Sequence, residues 1–145
     1  MSSRIIYVED NPQNMRLVRK ILAHAGYDVL EAIDGLTGLD MIELERPDLI
    51  LLDINLPDID GQEVARRLKD SSDLCEIPII ALTANAMVGD RERLLESGCD
   101  DYLPKPVSRK ELLTMVGSYL VDETASAPAK QSPLDQARAA LGRRN

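Results

Sequence analysis

Five side chains in this sequence are of types that could together hold and move a phosphoryl group: Glu9, Asp10, Asp53, Thr83 and Lys105. Each follows a short apolar run. Ile5-Ile6-Tyr7-Val8 leads into Glu9-Asp10, and Leu49-Ile50-Leu51-Leu52 into Asp53 and then Ile54-Asn55. Ile77-Pro78-Ile79-Ile80-Ala81-Leu82 leads into Thr83-Ala84, and the weaker Tyr102-Leu103 precedes Lys105-Pro106. If the first and third runs are neighbouring strands, three carboxylates crowd one crevice. Two like charges about 4 Å apart repel by roughly 4 kcal/mol at an effective dielectric near 20, so the cluster demands a proton or a cation. All-oxygen ligation by few protein groups suits hydrated Mg²⁺. A lysine adds a positive point charge and a threonine a hydroxyl donor, and a carboxylate nucleophile could then form an acyl phosphate.

Convergence requires a fold that gathers strand ends. The first, third and fourth apolar runs are nearly continuous rather than alternating, as in strands covered on both faces. The second strand is read at Tyr27-Asp28-Val29-Leu30. Between the strands, Met15, Leu17, Val18, Ile21, Leu22 and Ala25 keep helical spacing and stop at Gly26. A second helix through Leu36, Leu39, Met41, Ile42 and Leu44 must end before Pro47. A third runs from Asp60 through Leu68, with Asp60 and Glu63 spaced as a capping box, and a fourth covers about 86–97 and ends at Gly98. Ser108-Arg109-Lys110-Glu111 opens the fifth. The pattern is (βα)₅, an α/β doubly wound fold with a five-stranded parallel sheet. In such sheets ligands bind beyond the carboxyl ends of the strands, where all five candidate residues lie.

Composition narrows the rest. The chain has 145 residues, 17 Lys+Arg against 25 Asp+Glu, and a net charge of -8, which argues against gripping nucleic acid or an anionic membrane. It has no Phe or Trp, which argues against a base-stacking platform as well. Cys75 and Cys99 make neither a disulfide framework nor a zinc site. The start lacks a signal peptide's apolar stretch and no run approaches membrane-spanning length, so a cytoplasmic location is expected. Residues 1–121 read as the folded domain. Residues 122–145 read as a flexible Pro/Ala/Ser linker and short tail, with Leu134, Ala137 and Leu141 on one face of a short helix over 134–142. That tail holds four basic and three acidic side chains, so the acidity belongs to the domain. It is either unstructured or a peptide that docks on a partner. His24, the only histidine, sits near the end of the first helix, where a helix dipole favours its charge.

With these motifs in order, the sequence resembles the receiver domains of two-component response regulators over about residues 2–121. The resemblance is carried by Glu9-Asp10, Leu49-Ile50-Leu51-Leu52-Asp53 with Ile54-Asn55-Leu56-Pro57, Thr83-Ala84 and Lys105-Pro106. The stretches Asp10-Asn11-Pro12-Gln13-Asn14-Met15 and Thr83-Ala84-Asn85-Ala86-Met87 are similar to single-domain DivK-type receivers and to those attached to hybrid kinases. The resemblance implies the flavodoxin/CheY-like strand order 2-1-3-4-5 and a cis Lys105–Pro106 bond. It implies Asp53 as phosphoacceptor, with Mg²⁺ bound by Asp10, Asp53 and the Asn55 backbone carbonyl, and Glu9 acting mainly through a metal-bound water. Lys105 would contact a phosphoryl oxygen, Thr83 would follow the phosphoryl group, and Tyr102 would swing inward as the switch aromatic. Asn55 and Asn85 would influence the acyl-phosphate lifetime.

The implied function is a signalling switch, not an enzyme beyond its own phosphorylation and dephosphorylation. Its partners would be a sensor histidine kinase or histidine phosphotransfer protein and a downstream protein target. No nucleic acid or membrane is among them, and a second copy of the chain is a further candidate. Other readings stand beside these. The acids could be a solvated rim of helix caps, with Asp10 or Asn11 capping the first helix, although strand-end Asp53 needs no cap. Tyr102 could be an aromatic packed at the sheet edge. A haloacid-dehalogenase-like phosphohydrolase would want a second Asp where Asn55 stands. A phosphorylation-independent pseudo-receiver would have lost an acid or the lysine.

Overall fold

The computed structural model describes residues 3–84 and 88–120. Strands and helices alternate without exception along these residues: β1 Arg4–Val8, α1 Pro12–His24, β2 Asp28–Ala32, α2 Gly35–Glu45, β3 Leu49–Asp53, α3 Gly61–Asp70, β4 Ile79–Thr83, α4 Val88–Glu96, β5 Asp101–Pro104 and α5 Arg109–Tyr119. The strands form one all-parallel sheet in the order β2-β1-β3-β4-β5. The reversal of order lies between β1 and β3, whose register pairs Val8 with Leu52. The expected tail, linker and helix over 134–142 lie outside the described residues, as do Asn85 and the expected start of α4.

Period-two alternation along the strands builds two core layers. Ile6, Val8, Ile50, Leu52, Ile79 and Ala81 face Ile42 of α2, Val64, Ala65 and Leu68 of α3, and Leu94 of α4. Ile5, Tyr7, Leu49, Leu51, Ile80, Leu82 and Leu103 face Met15, Val18 and Leu22 of α1 and Leu112 and Val116 of α5. β3 and β4 are buried at every position, which is why their sequences are continuous apolar runs. The edge strand β2 differs. It runs from Asp28 to Ala32, later than the Tyr27–Leu30 expectation, because pairing Arg4 with Asp28 through Val8 with Ala32 carries it to the carboxyl end of β1.

Helix ends are set locally. Asn11 caps α1, its side chain accepting from the N–H groups of Gln13 and Asn14 at 2.9 and 3.0 Å. Asp60 accepts from Glu63 N–H at 2.9 Å at the start of α3. The Glu63 carboxylate does not return to the cap; it pairs with Arg66 and Arg67 instead. Gly26 and Gly98 take φ of 99° and 116° just past α1 and α4, a left-handed turn that a side chain resists. The end of α2 lacks a glycine. There Arg46 itself adopts φ 49°, because Pro47 disfavours the right-handed helical conformation in the residue before it.

The β3–α3 connection ties the sheet to two helices. Both Asp58 carboxylate oxygens accept from the start of α2, one from Gly35 N–H and one from Leu36 N–H, each at 2.8 Å. Gly61 opens α3 so close to the sheet that a β-carbon there would stand 2.6 Å from the Asp53 carbonyl and 2.8 Å from Ile54 Cα. Gly61→Ala must therefore push apart two backbone segments, and overpacking of this kind costs about 1–3 kcal/mol. We expect a loss of that size in urea unfolding, whereas Gly117→Ala, where a β-carbon meets nothing within 4 Å, should not destabilise the chain.

Candidate functional site

The carboxyl edge of the sheet collects the chemistry. Glu9 and Asp10 follow β1, Asp53 is the last residue of β3, Thr83 is the last of β4, and Lys105 follows β5. Because β1 and β3 are neighbours in register, Glu9 and Asp53 come to lie side by side. Each of Glu9, Asp10 and Asp53 offers one oxygen, and the three oxygens lie within 4.8 Å of one another. Glu9 is 1% exposed and Asp53 2%, while Asp10 is open to solvent. Two buried carboxylates in contact are tolerable only with a positive partner. Lys105 Nζ supplies it, 3.0 Å from Asp53 Oδ1 and 3.3 Å from Glu9 Oε1.

Further donors complete the arrangement. Asn55 N–H donates to Asp53 Oδ1 at 3.3 Å, and Asn11 N–H to Glu9 Oε2 at 3.2 Å. From beneath, the Tyr7 hydroxyl donates to Glu9 Oε1 at 2.8 Å. Among the described residues every buried side-chain nitrogen and oxygen has a hydrogen-bond partner. Burial is the largest influence on the Asp53 carboxyl, and with the neighbouring Glu9 charge it outweighs Lys105, so the group is pushed up to about 6. Lys105 is also raised, but in its case toward the charged form. Burial disfavours its charge, but the hydrogen bond and charge of Asp53, joined by Glu9, hold its ammonium above the ordinary lysine value. The Tyr7 hydroxyl is driven upward by burial first and by Glu9 second, so it stays a donor.

The other candidates take separate places. Thr83 is buried and lines a cleft of about 200 Å³ beside the carboxylates, together with Ile54, Asn55, Asp60, Gln62, Arg93 and Leu94. Tyr102 is not brought to the carboxylates. It is half-buried on β5, opposite Ala81 of β4, against the core layer that α2, α3 and α4 cover. The Lys105–Pro106 bond is cis. Asn11, not Asp10, caps α1, which leaves the Asp10 carboxylate at the crevice.

Sequence reading passes over two residues that matter here. Tyr7 is read only as an apolar strand residue, although its position two before Glu9 puts both on one face of an extended segment. Asp58 binds backbone more than twenty residues away, and no local signal marks that.

An all-oxygen set of three carboxylates fits a small, hard divalent cation such as Mg²⁺. With such a cation bound, the same crevice, with a lysine ammonium and a buried hydroxyl on its rim, could position and neutralise a phosphoryl group.

Comparison with known proteins agrees with this chemistry. A family model described as the response regulator receiver domain matches residues 5–117. The polar-differentiation response regulator DivK of Brucella anthropi is 44% identical over 122 residues, covering 84% of this chain and 99% of that protein. Among solved structures, a receiver domain of a sensor histidine kinase from Pseudomonas aeruginosa superposes with a TM-score of 0.78 at 38% identity, covering 84% of this chain and all of that one; it carries a magnesium ion coordinated in its active-site cleft. A response regulator from Chloroflexus aurantiacus gives a TM-score of 0.80 at 30% identity, over 84% of this chain and all of that one.

The raised Asp53 carboxyl has a consequence for stability. Between its ordinary value of 3.8 and about 6 the folded chain holds a proton that the unfolded chain releases. The stability this confers is complete below about 3.8 and is lost as pH rises through about 6. Asp53→Asn stays neutral throughout. In metal-free buffer it should be more stable than the wild type by about 3 kcal/mol near pH 7, and the gap should close toward about pH 4, read by urea unfolding at each pH.

Proposed function

The chain belongs to the response regulator receiver domain family, and from that premise we propose that Asp53 is the phosphoacceptor of a Mg²⁺-dependent switch. A receiver is a component of two-component signalling rather than a classical enzyme, and the chemistry proposed here is confined to the chain's own phosphorylation and dephosphorylation. The observation that carries the assignment is the placement of Asp53: a buried strand-end carboxylate within 3.0 Å of Lys105 and beside Glu9 and Asp10.

The donor is a phosphohistidine of a sensor kinase or phosphotransfer protein. An Asp53 oxygen forms the P–O bond as the donor's P–N bond breaks, leaving an acyl phosphate on this chain and a free imidazole on the donor. Lys105 already holds Asp53 Oδ1, and in this reading its ammonium passes to an oxygen of the transferred group as that oxygen arrives. Thr83, one residue beyond the Leu82 that pairs with Asp53, is placed to offer its hydroxyl to the same group. Asp10, Asp53 and the Asn55 carbonyl would hold Mg²⁺ directly, and Glu9 would act through water, as suits a carboxylate already receiving three hydrogen-bond donors. When bound, the ion supplies Lewis-acid neutralisation of the phosphoryl oxygens.

Output follows from position. Thr83 ends β4, and Tyr102 lies on the adjoining β5, so movement of Thr83 toward a phosphoryl group biases Tyr102 and the surface of α4, β5 and α5. The result is a population shift read by a downstream protein. Among the described residues no helix is long and apolar enough to cross a membrane, and the proposed place of action is the cytoplasm. Residues 1–121 would carry the switch, with 122–145 as an appended linker and tail. The phosphohydrolase alternative gives way to the family match, and the pseudo-receiver lacks its mark, since Glu9, Asp10, Asp53 and Lys105 are all present.

Incubation with Mg²⁺ and acetyl phosphate, followed by intact-mass measurement, should add one phosphoryl group to the wild type and none to Asp53→Ala. Chelation of the metal should abolish the addition. A chain lacking residues 124–145 should label as the full chain does; loss of labelling on that deletion would contradict the domain assignment.

A further inference from the structure

Tyr7 is 0% exposed and packs within the core layer beneath α1 and α5, among Ile5, Leu49 and Leu51. A phenol buried there without a partner for its hydroxyl would be worse than a phenylalanine. Its partner is Glu9 Oε1 at 2.8 Å. The two other donors to Glu9 are less dedicated. Lys105 Nζ is shared and lies nearer to Asp53, at 3.0 Å against 3.3 Å, and Asn11 N–H belongs to the loop that enters α1. Tyr7 is the donor that rises from the rigid sheet.

We propose that Tyr7 is a positioning residue of the acidic crevice: its hydroxyl fixes the Glu9 carboxylate and thereby sets how tightly the crevice holds a divalent cation. This rests on the Mg²⁺ reading given above. With phenylalanine at position 7, Glu9 keeps Lys105 as its one side-chain donor among the described residues, and the carboxylate follows that ammonium toward Asp53. The orientation in which oxygens of Glu9, Asp10 and Asp53 lie within 4.8 Å is then no longer held from below. Donors that orient the groups around a metal change affinity by about 10–100-fold when removed. Because Glu9 retains two of its three donors here, Tyr7→Phe should raise the Mg²⁺ dissociation constant by about tenfold, the lower end of that range.

The experiment is calorimetric titration of the full chain with MgCl₂, using the wild type, Tyr7→Phe, Ile5→Val, Glu9→Gln, Asp53→Asn and the double variant Tyr7→Phe/Glu9→Gln. Ile5→Val perturbs the same strand and core layer without touching Glu9, so it should bind as the wild type does. In the Glu9→Gln background the effect of Tyr7→Phe should shrink. Three results would overturn the proposal while wild type binds: Tyr7→Phe within twofold of wild type, equal weakening by Ile5→Val, or an undiminished Tyr7→Phe effect beside Glu9→Gln. If the wild type takes up no Mg²⁺, or Asp53→Asn takes it up equally well, the metal reading itself fails and this inference falls with it.

Discussion

One ammonium group shared between two buried carboxylates is the constraint on which this structure turns. Lys105 reaches Glu9 and Asp53 together, yet it brings a single positive charge to two acids that are each almost fully removed from water. The exposed Asp10 beside them adds a third negative charge. Such a crevice is under-neutralised, and burial at low dielectric magnifies the imbalance. The Asp53 carboxyl is pushed up by its burial first and by the neighbouring Glu9 charge second, against the opposing pull of Lys105. A fold selected for stability alone would place apolar residues here. This one keeps an acidic cluster whose excess negative charge a bound cation would relieve.

Holding that cluster in place is the work of the surrounding backbone. The parallel register between β1 and β3 sets Glu9 against Asp53, and β5 brings Lys105 from the far edge of the sheet. Gly61 lets α3 start in contact with the backbone of Asp53 and Ile54. Asp58 fastens the same loop to the first turn of α2, where the free N–H groups of a helix start welcome a carboxylate. Those hydrogen bonds outweigh the desolvation that opposes them and hold the Asp58 carboxyl below its ordinary value. Asp53 at the end of β3 and Asp58 in the loop after it thus move in opposite directions because their surroundings differ. Asp58 is met by backbone donors at the surface, and Asp53 is buried beside another acid.

Tyr7 adds a third kind of support, from inside the core. Its ring belongs to the apolar layer under α1 and α5, and its hydroxyl belongs to the site. A single side chain therefore joins the packing of the sheet to the orientation of Glu9. Thr83 on β4 and Tyr102 on β5 sit one and two strands further along, Thr83 at the cleft beside the carboxylates and Tyr102 apart from them. The carboxyl edge and the α4–β5–α5 surface are separated in space and connected by closely packed strands.

Much of this architecture can be read directly from residue types. Continuous apolar runs identify strands covered on both faces, helical spacing identifies the segments between them, and alternation of the two admits one class of sheet. The residues just beyond the runs then supply the candidates: Glu9, Asp10, Asp53, Thr83 and Lys105. These features are local, because strand pattern, helix caps and turn glycines act within a few residues of themselves. Contacts across the chain are another matter. The extension of β2 to Ala32 is dictated by its register against β1. The attachment of Asp58 to α2 joins residues that have no relation in sequence. Tyr7 looks apolar until its hydroxyl is seen to meet Glu9, and Asp53 looks like any carboxylate until burial beside a second acid raises its proton affinity. Which groups are present was decided by sequence. Their shared burial, and the charge imbalance it creates, arise only when the folded chain excludes water from the crevice.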